Sequence, residues 1–326
     1  MLLDAADAAD IVRAAEWLAA GELVAFPTET VYGLGARADR DAAVAKIFTA
    51  KGRPAEHPLI VHVADAAACG LFTPSVPRVA RRLIDAFWPG PLTVIVPRVP
   101  GFCTAAAGAQ PTNGLRWPAH PGAQALLAAA RRLGVPGVAA PSANRFGRVS
   151  PTRAAHAVDE FGAALHVLDG GACEVGIESS IVDCSRGHPV LLRPGAVTRA
   201  QIEAAAGEPL HAPDADAPRA PGTLAAHYAP DAVLRLMPTP MLRAALQMLG
   251  EAPPGLAVYS RSLALTAAPG VRHRRMPARP DQAAHELFAV LREFDAEGVQ
   301  LIWVEEPPSL PEWDGVRDRL RRAAAP

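Results

Sequence analysis

The stretch from Asp41 to Val63, DAAVAKIFTAKGRPAEHPLIVHV, decides how the chain is read. Asp39-Arg40-Asp41 marks a helix start, AAVAKIFTAKGR carries the helix, Gly52 releases it and Pro54 stops it. LIVHV (59–63) is then an apolar run of strand length. A helix followed at once by a buried strand is the signature of an α/β domain.

Working outward, the alternation continues but unevenly. Helical spacing covers 8–20 and stops at Gly21; a short strand follows at Leu23–Phe26, ending at Pro27. Beyond the opening stretch come a helix over 78–90, a strand over 92–96, a strand at Gly114–Trp117, a helix over 122–133, a strand over 137–140 and a helix over 152–162. Strands over 165–169, 179–185 and 189–193 and a helix from Thr198 complete a first region. The irregular order predicts a mixed sheet flanked by helices rather than a regular parallel one. From 208 to 230, EPLHAPDADAPRAPGTLAAHYAP holds five prolines and no apolar period, which is the composition of a linker. A second, smaller α/β block follows over 231–326, with strands at 232–237, 255–260 and 299–307 and helices at 240–250, 281–298 and 316–324. The organisation expected is therefore 1–207, a linker over 208–230, and 231–326.

Composition narrows the class. Half of the 326 residues are apolar, yet no run reaches the ~18 uninterrupted apolar positions of a membrane helix. MLLDAADAAD, with three aspartates and no basic residue, resembles neither a secretory signal nor a transit peptide, so a cytoplasmic protein is expected. The net charge of -1 argues against tight binding of nucleic acid, which needs surplus cations to displace counterions. Cys69, Cys103, Cys173 and Cys184 show no C-x-x-C spacing and read as buried small hydrophobes.

No P-loop is present, and Gly33-Leu34-Gly35 lacks the third glycine of a dinucleotide fingerprint. A polyphosphate would have to be held by side chains. Lys51 and Arg53, a point charge and a planar fork around a glycine turn, suit that task; the blander reading is that they complement the helix dipole. Ser142, Asn144 and Ser150 follow the strand over 137–140, where open α/β sheets take ligands; alternatively they form a turn and cap the next helix. Thr28-Glu29-Thr30 follows a buried strand, His62 interrupts LIVHV and Arg116 interrupts GLRW. Alone, a strand His is a core residue and a strand Arg an edge charge; together they suggest one polar pocket.

The ordered segments FPTETVYGLGA (26–36), KGRPAEHPLIVHV (51–63), FWPGPLTVIV (87–96), GLRWPAHP (114–121), PSANRFGRVSPT (141–152), ESSIVDCS (178–185) and LLRPGAV (191–197) resemble the threonylcarbamoyl-AMP synthases of the Sua5/YrdC/YciO family. The likeness spans roughly 8–207, and PGTLAAHYAPDA with the second block is similar to the long Sua5 form. The resemblance implies a YrdC-like catalytic domain with a twisted mixed sheet, a linker and a Rossmann-like Sua5 domain. It implies formation of L-threonylcarbamoyl-adenylate and pyrophosphate from L-threonine, bicarbonate or CO2, and ATP with Mg2+. The product would pass to a threonylcarbamoyl transferase complex for modification of tRNAs reading codons that begin with A. By the same resemblance Lys51 and Arg53 are the catalytic, triphosphate-binding pair; His57, Thr112, Ser142, Asn144, Ser150, Arg193 and Tyr228 join them around ATP; and Thr30, His62, Arg116 and Ser180 bind L-threonine. No metal-ligating side chains are implied.

Three departures are visible: Leu224-Ala225-Ala226 stands where the family's linker carries aromatic and basic residues, His57 where it often has Asn, and the last helix, EWDGVRDRLRRAA, lacks the glycine-rich start common in the family's second domain. A hydrogenase-maturation protein shares the domain but adds paired C-x-x-C modules, against which the cysteines argue. A non-catalytic RNA- or ribosome-binding protein of the same fold is the other reading.

Overall fold

A computed structural model describes the chain except for residues 250–252, 254, 264–269 and 326. The chain forms two compact units, Met1–Phe146 with Ser150–Thr223, and Gly147–Val149 with Leu224–Pro326. The proline-rich stretch is thus divided: its first part packs with the first unit and its end with the second.

The first unit is built from β1 (Leu2–Asp4), α1 (Ala8–Ala20), β2 (Val24–Phe26), β3 (Gly33–Arg37), α2 (Asp41–Lys51), β4 (Ile60–His62), α3 (Arg78–Phe87), β5 (Leu92–Pro97), β6 (Thr112–Arg116), α4 (Pro121–Arg132), β7 (Val138–Ala139), α5 (Ala154–Phe161), β8 (His166–Asp169), β9 (Ser180–Asp183), β10 (Val190–Arg193) and α6 (Arg199–Ala206). Ten strands form one sheet in the order β1-β8-β2-β3-β7-β4-β6-β5-β9-β10. Four pairs are parallel (β1/β8, β2/β8, β4/β6, β5/β9) and the others antiparallel, which is the mixed sheet expected.

Local signals end the helices as read. Gly21 and Gly52 take the left-handed conformation, φ 88° and 62°, that closes α1 and α2. Thr198 and Gln201 form a reciprocal capping box at the start of α6. Strand side chains alternate between the faces: Val24 and Phe26 join Leu18 and Leu126 of α1 and α4, while Ala25 faces the opposite cluster with Val44, Ile47 and Leu83 of α2 and α3. A sheet covered on both faces needs strands that are apolar throughout, which is why LIVHV and LTVIV show no polar alternation.

Two strands of the first unit have no counterpart in the sequence reading. β1 is too short to show a period. β3 contains Gly33 and Gly35, poor strand formers, yet a Cβ at Gly35 would come within 2.8 Å of Phe26 and Val138. Glycine there permits close approach of side chains within the sheet, not of a phosphate.

The second unit comprises β11 (Val233–Met237), α7 (Thr239–Met248), β12 (Leu256–Ser260), β13 (Arg272–Arg275), α8 (Pro280–Ala296), β14 (Leu301–Glu305) and α9 (Asp314–Ala323). All its strand pairs are parallel, in the order β11-β14-β12-β13. Buried Leu287, Phe288 and Leu291 line one side of α8. β13 is an exposed edge of four basic residues, RHRR, for which apolar pattern offers no signal. The expected helix over 240–250 is α7; Gly250 and Pro326, the ends of two expected segments, lie outside the described residues.

Candidate active site

β6 lies between β4 and β5 in the interior of the sheet, so Arg116 is not an edge charge. It is 3% exposed and held on three sides. Nη2 lies 2.7 Å from Glu29 Oε1, Nη1 donates to Thr30 Oγ1 at 2.9 Å, and Nε donates to the Gly90 carbonyl at 3.2 Å. Glu29 is also buried, and its Oε2 accepts the Ala119 N–H. Thr28 Oγ1 donates to the Val31 carbonyl, closing the turn that presents Thr30.

His62 is paired in register with Arg116 across β4 and β6. Its ring stands edge-on to Phe26, and Nδ1 is buried without a hydrogen-bond partner. Burial, reinforced by Arg116, pushes its pKa down to about 3. The ring is therefore neutral at physiological pH. Between pH 6.5 and 3 the unfolded chain binds a proton at His62 that the folded chain refuses, so folding stability falls as pH falls through that window. Acidification from pH 6.5 to 5 should cost about 2 kcal/mol through this residue alone. Urea denaturation of the full chain at the two pH values should show that loss, reduced in His62→Gln.

A second cluster forms around the end of α2. Lys51 is buried, and its Nζ donates to the carbonyls of Ser142, at 2.6 Å, and Asn144. Its hydrogen bonds go to the loop after β7 rather than to carbonyls of its own helix, in whose last turn it stands. Burial first, then the neighbouring Arg53, lowers the Lys51 pKa well below the usual ammonium range; Glu160 and Glu178 oppose the shift. Arg53 is buried, donates to the Pro58 carbonyl at 3.0 Å and lies 5.8 Å from the Phe146 ring centre. The His57 ring is 5.5 Å from that same ring; burial and then Arg53 lower its pKa.

Ser150 does not cap α5, whose N-cap Arg153 makes no side-chain cap bond; it donates to the buried Glu178 instead. Asn144 donates through Nδ2 to the Arg145 carbonyl at 2.7 Å. Arg193 donates twice to the Ser179 carbonyl, at 3.0 and 2.9 Å, and once to the Pro221 carbonyl at 3.0 Å. Ser180 donates to the Val197 carbonyl at 2.7 Å. Thr112, at the start of β6, opens on a cavity of about 510 Å³ bounded by Pro97, Pro111, Arg186, Pro218 and Arg219.

The two clusters are joined through the backbone. Glu178, Ser179 and Ser180 are consecutive, and they reach Ser150, Arg193 and the start of β9 respectively. Thr30 touches Arg116, while Tyr32, two residues on, exchanges main-chain hydrogen bonds with Pro151 and Ala143 of the loop that holds Lys51. Burial raises the Tyr32 hydroxyl far above its ordinary range, and it donates to the Gly171 carbonyl, pinning the turn.

Tyr228 lies in the second unit, 1% exposed, with φ 63°, its ring 5.4 Å from that of Phe288 and 5.4 Å from the Arg319 guanidinium. The sequence places Glu29 in the polar pocket through Thr28-Glu29-Thr30 without giving it a role, and it gives Glu178 no assignment although that residue stands inside ESSIVDCS. All four cysteines are buried thiols, and burial pushes Cys69 up to about 11 and Cys103 and Cys173 up to about 12.

Fold and geometry together define the class: an α/β domain with buried cations gathered at the ends of its strands and at the turn closing α2, joined to a second α/β unit. A family model described as telomere recombination, Sua5–yciO–yrdC, matches residues 16–195, and one described as threonylcarbamoyl-AMP synthase, C-terminal domain, matches residues 197–325. The chain belongs to the Sua5/YrdC/YciO family, in its two-domain form. It is 39% identical over 328 residues to the threonylcarbamoyl-AMP synthase of Bacillus subtilis, covering 96% of this chain and 92% of that one. The corresponding protein of Pyrococcus abyssi is 36% identical, with 95% and 93% covered. A crystal structure of P. abyssi Sua5 complexed with L-threonine superposes with TM-score 0.87 at 34% identity, over 99% of this chain and 97% of that one.

Proposed function

We propose that the protein is a threonylcarbamoyl-AMP synthase, which carboxylates the amine of L-threonine with bicarbonate or CO2 and transfers the adenylyl group of ATP to the carbamate, releasing pyrophosphate. The observation that carries this reading is the pair of joined clusters: a buried guanidinium pocket with hydroxyls and a neutral imidazole, linked through Thr30–Tyr32 to a buried Lys–Arg pair.

Arg116 would take the threonine carboxylate, since its planar fork matches two oxygens. Thr30, His62 and Ser180 would read the amine and the hydroxyl. His62 can serve only as a neutral group, because its charged form is suppressed. Lys51, Arg53 and Arg193 would neutralise the triphosphate while Ser142, Asn144, Ser150, Thr112 and His57 orient the nucleotide. Adenylyl transfer demands little covalent chemistry of a protein: the carbamate must be held in line with the α-phosphate as charge builds on the leaving oxygens.

Mg2+ fits as a companion of ATP. Among the described residues no group of three or more His, Cys, Asp or Glu side chains could hold a metal, and Mg2+ commonly relies on phosphate oxygens and water. It would supply charge neutralisation on the departing pyrophosphate.

We place the protein in the cytoplasm, handing its product to a threonylcarbamoyl transferase complex that modifies tRNA. The test is to incubate the full chain with ATP, bicarbonate and L-threonine and to follow the adenylate by mass spectrometry together with pyrophosphate. Product that requires all three is expected. Tight RNA binding without product would overturn the reading in favour of an RNA-binding protein.

A further inference from the structure

The Arg116 pocket contains a charge that carboxylate binding does not call for. A site built only to attract an anion would leave its guanidinium unopposed, yet Glu29 sits 2.7 Å from Arg116 Nη2, with both side chains almost wholly buried. Buried ion pairs are weak contributors to stability, because desolvation offsets most of the Coulomb attraction. Orienting the fork does not require a second charge either: the Thr30 hydroxyl and the Gly90 carbonyl already hold two of its nitrogens.

The Glu29 backbone and carboxylate are themselves fixed. Its carbonyl accepts the Val175 N–H at 2.7 Å and its Oε2 accepts the Ala119 N–H at 3.0 Å, so the carboxylate has little freedom to turn away. Beside this pair, the buried Nδ1 of His62 lacks a partner, which marks the pocket as shaped for a polar ligand. The side chains gathered here sum to zero charge: the Arg116 guanidinium, the Glu29 carboxylate, the neutral His62 imidazole and the Thr30 hydroxyl.

We propose that Glu29 is a positioning and charge-balancing residue that makes the Arg116 pocket selective for a zwitterionic α-amino acid over a simple carboxylate. With the substrate carboxylate on Arg116, its ammonium, carried on the adjacent carbon, lies in the field of Glu29. The ligand and the pocket are then both neutral overall and complementary in dipole. A carboxylate without the ammonium gains Arg116 but meets the repulsion of Glu29 at short range, where burial leaves charges poorly screened. Glu29 acts through Arg116 and through space, since its Oε1 is closed off from solvent.

This inference rests on the reading of the pocket as the threonine site, and the test separates the two. The full chain is titrated calorimetrically with L-threonine and with 3-hydroxybutyrate, which is threonine without its amine, in the wild type and in Glu29→Gln. Glutamine keeps an oxygen to orient the fork and removes only the charge. Wild type should bind threonine at least about tenfold more tightly than the analogue. Glu29→Gln should weaken threonine by about tenfold while binding the analogue more tightly, and should raise KM for threonine with KM for ATP unchanged. Opposite shifts for the two ligands cannot arise from mere loss of packing. Shifts of the two ligands by the same factor, or none in either, would overturn the role of Glu29. Should the variant not fold, wild type alone decides: equal affinity for the two ligands overturns it. A wild type that binds no threonine and makes no adenylate removes the threonine reading, and this inference with it.

Discussion

Replacing Lys51 or Arg53 with alanine is expected to lower ATP-dependent pyrophosphate release by about a hundredfold or more, with threonine binding measured by calorimetry left within about twofold. Both cations are buried at the turn closing α2, where no solvent charge can substitute for them. Lys51 also carries a proton-linkage signature. Burial lowers its pKa in the free protein, whereas an arriving triphosphate favours the ammonium form, so nucleotide binding should take up a proton. ATP affinity should accordingly rise as pH falls through the interval between the depressed and ordinary Lys values. Calorimetric heats in buffers of different ionisation enthalpy would measure the uptake, and Lys51→Met should abolish it. The sign for folding is fixed by the same shift: the unfolded chain holds that proton to higher pH, so the Lys51 contribution to stability increases as pH rises through the interval.

Arg116→Ala is expected to be the most damaging single change in the first unit. It strands Glu29, a carboxylate 5% exposed, without its partner, and breaking a buried pair in this way costs about 3–5 kcal/mol. Urea denaturation of the full chain should show that loss together with undetectable threonine binding. Arg116→Lys restores the charge but not the fork, so it should recover stability more fully than activity. The double change Arg116→Met with Glu29→Gln removes both charges; it should regain part of the stability while remaining inactive, and a double-mutant cycle would give the coupling between the two side chains. Full activity in Arg116→Ala would remove this residue from the site.

Much of the architecture was legible because it rests on local signals. Helix stops at Gly21 and Gly52, the helix start at Thr198 and the apolar runs 59–63 and 92–96 each act within a few residues, and each marks an element of the structure. What escaped was weak locally. β3 forms although its glycines disfavour a strand, because β2 and β7 on either side supply its hydrogen bonds and exclude any larger side chain. β13 forms as an edge strand from four basic residues that carry no apolar period.

The candidate site divides in the same way. By itself the sequence determined which residue types are available and in what order: Lys51, His62, Arg116, Ser180 and Arg193 stand in helices or strands that local pattern can find, and Thr30, Arg53, Ser142 and Ser150 in the loops beside them. It also determined the chain's near-neutral charge. Tertiary structure alone decided what those side chains face. Nothing near Arg116 in sequence shows that its strand lies inside a ten-stranded sheet, that Glu29, 87 positions earlier, neutralises it, or that Lys51 turns to carbonyls 91 and 93 residues away. The reason is energetic: secondary structure follows from torsional preference and apolar period along the chain, whereas the charge state and partner of a buried polar group depend on desolvation and on contacts that exist only once distant strands have been paired.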